Sequence, residues 1–215
     1  MRHSSRIIGV CDNPAMPYIM KRIFDLTFAL LGLIILSPAL LVLSLMIKLS
    51  SRGAVFYSQY RVGRHGELFK LVKFRTMMKD AEKMDGGSIT VAGDKRVTPV
   101  GGILRRWKLD ELATLWNVLK GDMSFVGPRP DVPGYADQLE GEARKILSFR
   151  PGITGTSTLK YRNEEQLLAS VSDPEKYNDE VIFPDKIRIN LDYIDNWSFW
   201  GDIYIIFKTL LPKES

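Results

Sequence analysis

From Leu26 to Ile47 the chain has no charged residue, reading LTFALLGLIILSPALLVLSLMI. As one straight helix this run would extend roughly 33 Å, enough to cross a hydrocarbon core. Ser37-Pro38 divides it into 26–37 and 38–47, each about half a bilayer long. Proline inside a helix removes a backbone donor and crowds the preceding turn, and a neighbouring serine can bond the carbonyl left over. Lys21 and Arg22 precede the run; Lys48 and Arg52 follow it. A basic excess marks the cytoplasmic side of a membrane segment, so basic residues at both ends suit a chain that enters and leaves on one face. The residues leave open a single span and a re-entrant helix-break-helix bent at Ser37-Pro38. Either way the pattern divides the chain into a leader (1–19), a membrane segment (20–49) and a membrane-associated domain (50–215).

Beyond the apolar run the periods change. Residues 54–77 alternate as two β-rich runs around Gly63-Arg64-His65-Gly66, which predicts a β-hairpin. Residues 79–98 are polar and predict a loop, with one short helix near 79–84. Leu109, Leu112, Trp116 and Leu119 recur at helical spacing, and Gly121 supplies the stop. Three prolines between Gly127 and Pro133 demand an irregular, rigid connection. Residues 137–148 read as a charged helix ending before Pro151, and Pro151–Gly155 as a turn. Further helices are expected at 164–171, 174–182 and 185–195. Trp197, Trp200, Ile203, Tyr204, Phe207, Leu210 and Leu211 mark one face of a last helix. That face suits either core packing or the membrane interface, where Trp and Tyr are favoured. The fold class is therefore α+β and mainly helical.

Charge sharpens this division. Residues 1–80 hold 12 Lys/Arg against 4 Asp/Glu, whereas 81–215 hold 18 against 21. The positive part contains the apolar run, which suits an anionic membrane surface. There is no zinc-finger spacing, RNP motif or basic helix, so no nucleic-acid partner is expected. Cys11 is the only cysteine of the 215 residues, which excludes an intrachain disulfide and fits a reducing compartment.

The densest opposite charge lies in RRWKLDELATLWNVLKGDMSFVGPRP, residues 105–130. Asp110 and Glu111 fall in the first turn of their predicted helix, where acids are common because the helix dipole favours them. The same turn offers chemistry. Exposed backbone N–H groups can hold a carboxylate ionised, and an adjacent carboxylate supplies an oxygen ligand suited to Mg²⁺. Arg105, Arg106 and Arg129 can answer phosphate through paired hydrogen bonds, and Pro128 and Pro130 limit the entropy lost in fixing Arg129.

Lys21-Arg22, Ser37-Pro38, Lys73-Phe74-Arg75-Thr76-Met77, Leu109-Asp110-Glu111-Leu112, Gly127-Pro128-Arg129-Pro130 and Arg150-Pro151-Gly152-Ile153-Thr154-Gly155 occur in this order. The ordered set resembles the bacterial sugar transferases, the monotopic polyprenyl-phosphate phosphoglycosyl transferases, over about residues 20–211. The resemblance implies a re-entrant membrane helix bent at Ser37-Pro38 and a mainly helical domain with interfacial amphipathic helices. It places the protein on the cytoplasmic face of the bacterial inner membrane, at the start of capsule, O-antigen or other surface-glycan synthesis. It also implies transfer of a sugar-1-phosphate from a UDP-sugar to undecaprenyl phosphate with release of UMP. Asp110 takes the family nucleophile's place and forms a phosphosugar-aspartyl intermediate; Glu111 takes that of the Mg²⁺ ligand. Arg105 and Arg129 match phosphate-contacting arginines, and Lys73 and Arg75 are candidates for substrate contact. Lys108 stands where the family often has Ser or Thr. The family's larger members carry a membrane bundle and a further domain upstream, so the chain resembles the small catalytic-core form. Its oligomeric state is open, with a homodimer one reading. Two other functions fit the residues less fully: a membrane-bound polyprenyl phosphatase or diphosphatase, and a non-enzymatic membrane scaffold.

Overall fold

A computed structural model describes residues 16–81 and 93–211. Cys11, most of the 1–19 leader and the second half of the 79–84 helix expectation lie outside the described residues. The apolar run lies in one helix, α1 (Met16–Ser50), with Pro38 inside it. The helix starts four residues before the expected membrane segment, and the expected interruption into two helices is not seen. The reason is local. Pro38 cannot donate to the carbonyl four residues back, that of Ile34, and Ser37 Oγ donates to that same carbonyl at 2.8 Å. The serine thus replaces the hydrogen bond that the proline deletes, and helical geometry continues through the pair.

Both halves of α1 pack on the rest of the chain. Ala29 is buried with Phe69, Leu71, Val118 and Met123. Ile47 is buried with Phe74, Leu104 and Ala113. Between them Ile35 and Leu41 remain 72% and 71% exposed, and α1 is long and apolar enough to cross a membrane.

The basic flanks do more than mark a side. Lys21 forms a buried ion pair with Asp202 and donates to the Val126 carbonyl. Arg22 donates to the carbonyls of Val118 and Leu119. Asp25 accepts from Ser124 Oγ and the Phe125 N–H. At the other end, Lys48 donates to the Gly53 carbonyl.

The expected hairpin is present: β1 (Phe56–Val62) pairs antiparallel with β2 (Leu68–Phe74), Phe56 opposite Phe74 and Val62 opposite Leu68. His65 and Gly66 take positive φ to reverse the chain between them. Next comes α2 (Pro99–Arg106), absent from the sequence reading. Its start is written locally, since Thr98 Oγ1 accepts from the Gly101 N–H and Pro99 opens the first turn. A left-handed Lys108 then leads into a 3₁₀ turn, Leu109–Thr114, and α3 (Leu115–Lys120). Gly121, at φ +104°, ends α3 as expected.

Two short strands, β3 (Ser124–Val126) and β4 (Gly152–Thr154), pair in parallel, so the segment read as a turn at 151–155 is partly a strand. Gly127, Gly152 and Gly155 allow this. A Cβ at Gly152 would lie 2.2 Å from the Gly127 nitrogen, and one at Gly155 2.3 Å from the Gly127 oxygen. The charged segment 137–148 is not an α-helix; it forms 3₁₀ turns at Ala136–Gln138 and Gly141–Ser148. Its buried apolar residues, Ile146 and Leu147, are adjacent and lie at its end. They define no helical stripe, and Gly141 begins it at positive φ.

The C-terminal part is helical: α4 (Thr156–Lys160), α5 (Glu164–Ala169), α6 (Pro174–Tyr177), α7 (Phe183–Asp195) and α8 (Phe199–Leu210). A core of Val62, Val126, Phe149, Tyr193, Ile194 and Ile205 joins α7 and α8 to β1 and β3. Trp197 stacks on Tyr18 of α1. Trp200, Tyr204, Phe207 and Leu210, by contrast, are exposed. The aromatic face is therefore divided: Trp197 serves the core, and the rest of α8 offers an apolar surface of the kind that suits a membrane interface.

Candidate active site

The site forms where β2, the Leu109–Thr114 turn and the segment after β3 converge. β2 is held in place by Asn117 of α3, which is 1% exposed. Its Oδ1 accepts from the Val72 N–H at 3.0 Å and its Nδ2 donates to the Lys70 carbonyl at 2.7 Å. This edge pairing fixes the height at which Lys73 emerges. Asn117→Ala should leave both strand groups unpaired, at about 1–3 kcal/mol each. The expected result is a lower melting temperature and weaker donor binding together, read by thermal denaturation and KM for the donor.

Lys73 Nζ reaches Glu111 Oε1 at 2.8 Å, and Arg129 Nη2 reaches the same oxygen at 2.6 Å. Burial opposes ionisation of Glu111, but Arg129 and Lys73 outweigh it and hold its carboxyl well below the usual carboxylate range. The paired Glu111 in turn holds the Arg129 guanidinium protonated. Burial pulls the Lys73 amine down.

Asp110 is treated differently. It is 9% exposed, and its Oδ1 has no hydrogen-bond partner among the described residues. Burial pushes its pKa up, with Lys73, Arg105 and Lys108 pulling the other way. The expectation that helix-terminal N–H groups hold this carboxylate ionised is not met. Neighbouring carboxylates in one turn thus have contrasting settings: one neutralised by two cations, the other desolvated with a bare oxygen.

The remaining candidates divide. Arg105 lies near enough to act on Asp110, while its Nε donates to Thr76 Oγ1 and its Nη1 pairs with Glu165 at 3.4 Å. Arg75 is elsewhere. Its guanidinium donates to the carbonyls of Ser51 and Arg52 and to Ser51 Oγ, packed over Gly53 where any Cβ would lie 2.0 Å away. It fastens the end of α1 to the hairpin. Ser37 and Pro38 lie within α1, apart from the carboxylates. Lys108 is exposed, and its positive φ joins α2 to the Leu109–Thr114 turn.

One residue was missed. Arg61, from β1, lines a recess of about 40 Å³ together with Lys73, Glu111, Arg129 and Ile153. It donates to the Pro130 carbonyl and Gln59 Oε1, while its Nε is buried without a partner. Burial and the nearby Arg129 pull its pKa down. Only the alternation of β1 could have hinted at it, because Arg61 belongs to no motif. Three cations around one carboxylate leave the recess positive. Behind it Asp131 is pushed up to about 6 by burial, against the pull of Lys186, Arg61 and Arg129.

A positive recess, a bare carboxylate and a long apolar helix carry the sequence resemblance into three dimensions, and comparison with known proteins decides it. The family model described as bacterial sugar transferase matches residues 16–212. The chain belongs to the bacterial sugar transferases. This transferase is 35% identical over 206 residues to the exopolysaccharide production protein ExoY of Sinorhizobium fredii, covering 89% of this chain and 84% of the relative. It is 35% identical to a UDP-N-acetylgalactosamine-undecaprenyl-phosphate N-acetylgalactosaminephosphotransferase of Aeromonas hydrophila, covering 97% of this chain and 46% of that protein. With the undecaprenyl-phosphate glucose phosphotransferase of Komagataeibacter xylinus it shares 39% identity, over 88% of this chain and 35% of the relative. The transferase therefore spans most of one kind of relative and under half of the others.

Proposed function

We propose that this protein transfers a sugar-1-phosphate from a UDP-sugar to undecaprenyl phosphate at the cytoplasmic face of the bacterial inner membrane, initiating a surface glycan. The observation that carries the reading is the bare, buried carboxylate of Asp110 beside Glu111, with Lys73, Arg61 and Arg129 around the adjoining recess. A nucleotide diphosphate is the kind of anion such a surplus of cations accommodates. Relatives named as undecaprenyl-phosphate sugar phosphotransferases support both substrates.

In the first step an oxygen of Asp110 bonds to the sugar-bearing phosphorus. The phosphoanhydride bond breaks, and its electron pair leaves on UMP. In the second step an oxygen of the lipid phosphate bonds to the same phosphorus, the Asp110–phosphorus bond breaks, and the carboxylate is restored. Dividing one displacement into two through an acyl phosphate is an established strategy for carboxylate nucleophiles. Arg129 and Lys73 balance charge on the phosphoryl oxygens, and Glu111 keeps both aimed at the recess.

Mg²⁺ fits this pair. No group of three metal-ligating side chains occurs among the described residues, but Mg²⁺ needs only one or two protein carboxylates, with phosphate oxygens and water completing its shell. Glu111 would hold it, beside the unpartnered oxygen of Asp110. When bound, the ion supplies charge stabilisation to the diphosphate.

The deciding measurement is product analysis with purified protein, undecaprenyl phosphate and a panel of UDP-sugars. Mg²⁺-dependent UMP release with a lipid-linked diphosphosugar is expected. Inorganic phosphate without such a lipid would point instead to a phosphatase, and no turnover with any donor to a scaffold.

The re-entrant reading of α1 belongs to this proposal. It is supported by bonds from both ends of the helix to the same body: Lys21 to Asp202 at one end, and Ser51 and Arg52 to Arg75 at the other. In a Cys11→Ser background, Ser5→Cys and Ala54→Cys should label with a membrane-impermeant maleimide from the same side. Labelling from opposite sides would make α1 a span.

A further inference from the structure

The chain that walls the positive recess continues one residue past Pro130, to Asp131. The Asp131 backbone carbonyl accepts from the Val62 N–H at 2.9 Å, which pins the residue to the end of β1. Its side chain has no such tie. Arg61, Arg129 and Lys186 all stand near enough to act on the carboxyl, yet none of the three bonds to it. Arg129 holds Glu111 at 2.6 Å. Arg61 donates to Gln59 Oε1 and the Pro130 carbonyl. Lys186 donates to both oxygens of Glu164, at 2.7 and 2.8 Å. Among the described residues the Asp131 carboxyl therefore has neither a hydrogen bond nor an ion pair. It is half-buried without being sealed, so a bound molecule can reach it. With no hydrogen bond to answer its charge, burial keeps its pKa up at about 6.

An unanswered acid beside a phosphate site needs a reason. An ionised carboxylate repels a diphosphate and can only accept hydrogen bonds. A cation to neutralise it is at hand in Lys186, and Glu164 holds that lysine instead. What remains is a neutral donor that arrives with the substrate. The hydroxyls of a UDP-sugar flank its diphosphate on both sides, on the ribose and on the sugar, whereas the uracil N–H lies beyond the ribose. A few placed polar groups of this kind are what orient a ligand and give a site its selectivity.

We infer that Asp131 is a donor-recognition residue, whose carboxylate accepts a hydrogen bond from a hydroxyl beside the diphosphate, on the sugar or on the ribose. The inference rests on the proposed transfer reaction and adds to it a contact that sorts donors. Glu164 serves it by keeping Lys186 from filling the place the hydroxyl takes.

Asp131→Leu and Asp131→Asn both remove the charge, but only the asparagine still accepts a hydrogen bond. The comparison is made in nanodiscs in an Asp110→Asn background, so that no donor is consumed. UDP, UDP-glucose, UDP-galactose and UDP-N-acetylgalactosamine are titrated by calorimetry, UDP carrying the ribose hydroxyls alone. Asp131→Leu should weaken at least one sugar nucleotide by about tenfold or more, and Asp131→Asn by less than about threefold. An equal loss for UDP assigns the hydroxyl to the ribose; unaltered UDP assigns it to the sugar. Analogues of the affected nucleotide that lack one hydroxyl each then identify it, since Asp131→Leu should not matter to the analogue without it. Asp131→Ala serves the same comparison if the leucine variant melts early. Affinity that Asp131→Leu leaves unaltered or tightens overturns the assignment, tightening being the mark of simple charge repulsion. So does an equal loss in the leucine and asparagine variants, which would make the charge rather than the hydrogen bond responsible. Binding of none of the four to the background protein overturns it together with the reading it rests on. Binding without UMP release by the protein with Asp110 intact would count against the transfer reaction alone, because these titrations need no turnover.

Discussion

Asp110→Asn is expected to abolish sugar-phosphate transfer, by about a thousandfold or more, while leaving the protein folded and more heat-resistant. The two effects have one origin. Asp110 is buried with an oxygen that no described group satisfies, an arrangement that leaves the carboxylate bare and makes its ionised form costly to hold. An amide of the same shape removes the charge and cannot attack phosphorus. The sign of the pH effect follows. Burial raises the Asp110 pKa above the ordinary 3.8, so the folded protein binds this proton more tightly than the unfolded chain. Its contribution to stability is full below 3.8 and is lost as pH rises through the raised value. The melting-temperature advantage of Asp110→Asn should therefore be largest near neutrality and shrink as pH falls towards 4. Turnover in the unmodified enzyme should fall on the acid side as Asp110 protonates, above the usual carboxylate range. Labelled donor should leave its sugar phosphate on the unmodified protein and none on the variant. Persistent labelling of Asp110→Asn, or appreciable turnover by it, would remove Asp110 from the nucleophile's role.

The second large effect is expected where α1 meets α8. Lys21→Ala should destabilise the protein by about 3–5 kcal/mol, the usual consequence of stripping one partner from a buried ion pair. Asp202 is 4% exposed, and its carboxylate also accepts from Tyr193 Oη at 2.7 Å and Trp197 Nε1 at 3.1 Å. Without the lysine its carboxylate is left in an apolar setting with only neutral donors. For a chain of this size the loss is on the order of 10 °C in melting temperature. Adding Asp202→Asn should recover most of it, because the amide oxygen still accepts from Tyr193 and no charge is buried. Since the pair ties α1 to α8, the two most apolar helices, Lys21→Ala should also weaken membrane association. A melting temperature within a degree or two of the unmodified protein would show that the pair does not hold α1.

The correspondence between chain and structure follows the range of the interactions involved. α1, the hairpin from β1 to β2, the stop at Gly121 and the run of helices after Glu164 were legible, because hydrophobic period and turn chemistry are local. α2 was also written locally, in Thr98-Pro99, but its glycines mask the helical signal. The helix expected at 137–148 failed because charge spacing resembles a helix face even where no apolar stripe exists. The β3–β4 pair was not legible: its strands are three residues each and 28 residues apart in their opening positions.

For the site, the sequence by itself determined the family, the two adjacent carboxylates and most of the cations, because an ordered set of motifs records chemistry directly. Only the tertiary structure decided how the charges are shared. It gave Lys73 and Arg129 to Glu111, left Asp110 bare, set Arg75 against the end of α1 and added Arg61, which no motif contains. Charge pairing and desolvation depend on distances between segments far apart along the chain. A linear pattern names the groups; folding determines which of them are left facing one another.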